Sequence, residues 1–80
     1  MTMTDRLKAV IASFLDLDLS QFEDSASPAT ISAWDSVKQI DIMLGVEEEF
    51  KVRFSDEEIA TLTSYVAIRD ALRGRGAIVA

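Results

Sequence analysis

Ser36-Val37-Lys38-Gln39-Ile40-Asp41-Ile42-Met43-Leu44-Gly45-Val46-Glu47-Glu48-Glu49-Phe50 carries its apolar residues at helical spacing. At about 100° per residue, Ile42, Met43, Val46 and Phe50 gather on one side, enough to be the core face of a helix. Val37, Ile40 and Leu44 gather on a second side, displaced by roughly 130° on the same geometry. Asp41, Glu47 and Glu48 border that second stripe, and Glu49 lies apart from it. Two readings of the second stripe stand side by side. Both stripes are buried between neighbouring helices, or Ile40 and Leu44 form a small exposed apolar patch with an acidic rim. The latter suits partners with a basic, apolar surface. Val37, close to the preceding loop, is open between the two. Gly45 inside the helix costs about 1 kcal/mol relative to alanine. It either permits close helix packing or simply weakens the helix, and the sequence leaves both open.

Upstream, Ala33-Trp34-Asp35-Ser36 marks where a polar, turn-rich segment gives way to this helix, which should start at Asp35 or Ser36 and reach Phe50. Ser36 therefore sits at the positive end of a helix, where the first backbone N–H groups are unpaired and anions are favoured. The ordinary role of Asp-Ser at such a place is an N-cap that satisfies those donors. Trp34 reads as a core anchor for the loop rather than a partner contact.

Working towards the N-terminus, Asp16 to Asp35 lacks sustained periodicity and holds Ser20, Ser25, Ser27, Pro28 and Ser32, all turn formers. A loop of this length is unusual in a compact domain and often functional or locally structured. Leu17, Leu19, Phe22, Ile31 and Trp34 are the residues expected to pin it. Before it, Leu7, Val10, Ile11 and Phe14 recur at helical spacing, predicting a helix from about Thr4 to Leu15 with Thr4 as its cap. Downstream, Lys51 to Phe54 is a short connector. Ser55-Asp56-Glu57-Glu58 matches a capping box and predicts a short helix from Asp56 to about Thr61. Leu62-Thr63-Ser64 is a break, and Ser64 caps a last helix on which Tyr65, Ile68 and Leu72 face one way. Gly74 and Gly76 end it.

The expected fold is all-α: a small four-helix bundle with three main helices, one short helix and a long first loop. Residues 1–73 form one domain, and 74–80 are expected to be a flexible C-terminal tail.

Composition narrows the function. The chain has 80 residues, no cysteine and no histidine. Thiolate and histidine nucleophile systems and the usual zinc sites are therefore excluded, and no enzyme activity or metal site is expected. The net charge of −6 argues against nucleic acid, whose binding requires neutralised phosphates. Between Asp35 and Glu58 there are eight acids against three bases, so the acidity centres on the helix after Ser36. The apolar runs are too short to span a bilayer, and the first residues lack the pattern of a signal peptide, so no membrane insertion and, by default, a cytoplasmic location are expected. A monomer is expected as well.

The run Trp34 to Phe50 resembles the heart of the acyl carrier protein family, which shows Asp-Ser-Leu, apolar positions at helical spacing, then Glu-Glu-x-Phe. The resemblance continues through Val52-Arg53-Phe54-Ser55-Asp56-Glu57-Glu58-Ile59 and Leu62-Thr63-Ser64-Tyr65, and covers roughly residues 4–72. It implies that Ser36 receives 4′-phosphopantetheine from coenzyme A and that the chain carries acyl units as thioesters. A fatty acid, polyketide or specialised biosynthetic pathway would use such a carrier. It implies that Asp35 takes part in recognition by a phosphopantetheinyl transferase. Val37, Ile40, Asp41, Leu44, Glu47 and Glu48 would match the helix read by acyl-loading and acyl-processing enzymes with basic docking surfaces. The remaining apolar positions would line the core, where some carriers shelter an acyl chain. Several positions depart from the pattern. Trp34 replaces a small residue, as in discrete carriers of specialised pathways; Val37 replaces leucine; Lys38 is often acidic. The Gly-Gly-x-Ser of peptidyl carriers is missing, which weighs against an aminoacyl or peptidyl carrier. The remaining alternative is an unmodified helical adaptor binding through the acidic face.

Overall fold

The computed structural model describes residues 2–78. Among them are four helices and no strand: α1 (Met3–Phe14), α2 (Ser36–Phe50), α3 (Asp56–Thr61) and α4 (Tyr65–Gly74). The all-α bundle expected from the sequence is the fold observed. The core is built where the periodicities place it. Leu7 and Ile11 of α1, Ile42, Met43 and Val46 of α2, and Ile68 and Leu72 of α4 are fully buried together. Val10 and Phe14 are partly buried against them.

α1 begins earlier than its apolar spacing suggests. Thr2, not Thr4, is the N-cap, because Thr2 and Asp5 have the three-residue separation of a capping box. The Asp5 N–H donates to Thr2 Oγ1 at 3.1 Å, and the Thr2 N–H donates to Asp5 Oδ2 at 3.4 Å. The helix ends at Phe14, with Leu15 as its C-cap. α3 and α4 start as their sequences predict. Ser55 and Glu58 form a reciprocal capping box, and Ser64 Oγ accepts the Ala67 N–H at 3.0 Å.

At Gly45 the Phe14 ring of α1 packs directly against α2. A Cβ there would lie 2.5 Å from Phe14 Cε2 and 2.9 Å from Phe14 Cζ. The glycine thus makes room for an aromatic ring, which settles the choice between close packing and a mere weak point.

The long first loop is structured. It holds one 3-10 turn (Leu19–Gln21), closed by the Asp18 N–H donating to Gln21 Oε1 at 3.0 Å. Phe22 and Trp34 are buried, and Leu17 and Ile31 pack partly against the core. Leu19 does not pin the loop: it is 40% exposed on the 3-10 turn. Ala26, unremarkable in the sequence, is buried instead, and its carbonyl accepts the Tyr65 N–H at 3.0 Å. The Phe22 and Tyr65 rings meet in a T-shaped arrangement, with centroids 5.5 Å apart and planes at 83°. Lys8 on α1 pairs with Asp24 in the loop at 2.8 Å.

The segment after α4 also differs from expectation. Gly76, at φ +72°, turns the chain back so that the Ala77 N–H donates to Leu72 O at 2.9 Å. Ile78 is 3% exposed. Ala77 and Ile78 therefore fold back against the core while Arg75 and Gly76 stay exposed, and the rest of the expected tail, Val79 and Ala80, lies outside the described residues. Arg75 adds a clamp that no local sequence pattern announces. Its guanidinium lies over the Phe54 ring at 4.7 Å and pairs with Glu58.

Candidate functional site

The start of α2 separates the two roles open to Asp35 and Ser36. Asp35 is the N-cap: its Oδ1 accepts the Lys38 N–H at 2.9 Å, and its carbonyl accepts the Gln39 N–H at 2.8 Å. Ser36 is the first helical residue and is exposed. With the cap supplied by its neighbour, the serine hydroxyl stands at the positive helix end without being consumed as the cap.

Behind Ser36 lies a polar network that sequence reasoning misses. Trp34 is 2% exposed, the core anchor that its place in the sequence suggests. Its indole Nε1–H donates to Gln39 Oε1 at 2.8 Å. The Gln39 Nε2–H₂ group in turn donates to Ile59 O and Leu62 O, each at 2.9 Å. Those are carbonyls at the C-terminal end of α3, which a helix leaves without intrahelical partners. Gln39 is the buried polar side chain of the core, 6% exposed, and its amide is bonded on both sides. A signal exists in principle: Gln39 falls on the core-facing side of α2, where a polar residue needs a partner. Its partner carbonyls sit on another helix and carry no side-chain signature.

An open groove of about 690 Å³ runs between α2 and α3 from this point. Asp35 and Ser36 stand at its α2 end, Trp34 and Gln39 contribute to its lining, and Ile59 and Ala60 line it from α3.

The second stripe of α2 is free of the core. Val37 is 65% exposed, Ile40 51% and Leu44 50%. This settles Val37 in favour of exposure and leaves Ser36, Val37, Ile40 and Leu44 on accessible surface of one helix. The acidic residues around it diverge in role. Glu48 is exposed, and Asp41 is half-buried. Glu47, half-buried, is used internally: its Oε2 accepts the Phe54 N–H at 2.6 Å and so fastens the connector after α2. Glu49 lies on the opposite side and pairs with Arg6 at 2.6 Å. The three consecutive glutamates thus point to three different surroundings. Lys51, in the left-handed conformation at φ +57°, ends α2, and with Arg53 it borders the same depression as Leu44, Glu47 and Glu48. The rim is acidic along Asp41 and Glu48 and mixed in charge at the far end. No helix among the described residues is long and apolar enough to cross a membrane. No model of a known protein family matches the chain.

Proposed function

We propose that this chain is a carrier that holds acyl units on a 4′-phosphopantetheine arm attached to Ser36 and presents them to partner enzymes. The observation that carries the proposal is the division of labour at the start of α2. Asp35 caps the helix, and the adjacent Ser36 hydroxyl is exposed at its positive end. A phosphodiester there places its anionic oxygens next to the first turn of α2, and the groove beside Ser36 offers a mostly apolar surface to the pantetheine arm and its cargo. In the attachment, the Ser36 oxygen gives up its proton and bonds to the pantetheine-bearing phosphorus of coenzyme A, and the adenosine bisphosphate half leaves. The arm supplies a thiol, and hence thioester chemistry, to a chain that has no cysteine. This chain's own residues supply attachment and address: Ser36 as tether, Asp35 as the element that fixes its backbone, and Val37, Ile40 and Leu44 with Asp41 and Glu48 as the docking stripe. Tethering raises the effective concentration of the carried unit at each partner that docks.

The test is a mass measurement after incubation with coenzyme A and a broad-specificity phosphopantetheinyl transferase. One added phosphopantetheine on the wild-type chain and none on Ser36→Ala is the expected result. No gain with several active transferases overturns the proposal and leaves the exposed stripe to an unmodified helical adaptor.

A further inference from the structure

We infer that Gln39 closes the interior of this protein to whatever hangs from Ser36, so that the attached unit lies in the open groove between α2 and α3 and is a short acyl group rather than a long alkyl chain. The inference rests on the tether reading of Ser36.

A chain starting at Ser36 and seeking the core must pass between α2 and α3, where the groove already leads. That passage is occupied by the Trp34 indole and the Gln39 amide, which form part of the groove's lining. Both are almost completely buried, and their hydrogen bonds are mutual: indole to amide oxygen, amide nitrogen to two carbonyls of α3 and its C-cap. Moving Gln39 aside takes the amide from two part-buried carbonyls and strands the buried indole N–H without a partner, and a buried polar group left unpaired is costly. One turn further along α2, Ile42, Met43 and Val46 are fully buried. Methylenes beyond those the groove covers therefore gain nothing from the interior. A short unit rests beside Ile40 and Ile59 with its end still accessible to a docked enzyme.

The absence of cysteine allows a direct test. In Ser36→Cys, the single thiol is converted to mixed disulfides with alkyl thiosulfonates from ethyl to decyl. Thermal midpoints and methyl NMR shifts are then recorded along the series. A chain entering the core raises the midpoint by roughly 3–6 °C for each methylene taken out of water. The expected result is a midpoint that levels off after the first few carbons, with shifts at Ile40 and Ile59 and none at Ile68 and Leu72. A midpoint that keeps rising to decyl, with Ile68 and Leu72 shifting, overturns the inference. So does a series that leaves Ile59 unmoved. Adding Gln39→Ala to Ser36→Cys is expected to convert levelling into a continued rise; if that chain does not fold, Trp34→Phe, which removes the indole donor together with part of the buried ring, serves instead. No conversion in the folded variant assigns the closure elsewhere and overturns the role of Gln39. No transferase enters these measurements, so their outcome is separate from the mass test of the tether itself.

Discussion

Replacing Gly45 with alanine sets two effects of known size against each other. In an exposed helix interior the change gains about 1 kcal/mol of helix propensity. Here the new methyl would sit 2.5 Å from Phe14 Cε2, whereas unstrained carbons meet at about 3.5–4.0 Å. The Phe14 ring has to retreat by about 1 Å or swing out from between α1 and α2. Overpacking of this kind costs about 1–3 kcal/mol. The difference leaves Gly45→Ala less stable by about 1 kcal/mol, which in a domain of this size lowers the thermal midpoint by about 4–8 °C. Thermal and urea unfolding followed by circular dichroism measure it. Pairing it with Phe14→Leu, which removes the offending ring edge, should reverse the sign, so that Gly45→Ala stabilises that background. A higher midpoint for Gly45→Ala in the wild-type chain, or additivity with Phe14→Leu within about 0.5 kcal/mol, would refute the packing account.

The same contacts lead to further outcomes. Asp35→Ala should lose about 1 kcal/mol in urea unfolding, whereas Ser36→Ala should stay within about 0.5 kcal/mol, because Asp35 is the cap; equal losses would contradict that division. Glu47→Ala should cost about 1–2 kcal/mol through the orphaned Phe54 N–H, while Glu48→Lys should weaken binding of a partner enzyme in a direct titration and leave helical circular dichroism unchanged. The Arg75 guanidinium, with help from the Ser55 backbone, holds the Glu58 carboxyl below its ordinary value of 4.5. Its folded pKa is depressed, so its stabilising contribution is present above about pH 4.5 and is lost as pH falls through the folded value. Melts from pH 6 to pH 3 should therefore show a shallower acid loss in Glu58→Gln than in the wild type, and identical slopes would remove the pair from the account.

The helices are legible in the sequence wherever a period or a cap is written locally. The core face of α2, the Ser55–Glu58 capping box and the Ser64 cap all lie where their spacing puts them. The start of α1 is misplaced by the apolar period, which points to Thr4; the reciprocal bonds with Asp5 put the cap at Thr2. Leu19 reads as an inward residue because it is a leucine; its position on a 3-10 turn decides otherwise. The segment from Gly74 onward reads as a tail because two glycines and a few small residues carry no period. Its packing depends on Arg75 and Ile78 finding Phe54, Glu58 and the core across the fold.

Helicity, the two apolar stripes of α2 and the serine at its start are all written in the local order of residues. These come from periodicity and capping chemistry, which act within a few residues. Whether the second stripe is buried as well, why Gly45 is a glycine, and what Gln39 does are set by the tertiary contacts alone. Each of those depends on a group brought from a distant part of the chain: the Phe14 ring, or the carbonyls at the end of α3. Burial and hydrogen-bond satisfaction are properties of what a residue meets in space, and the order of residues along the chain does not record that meeting.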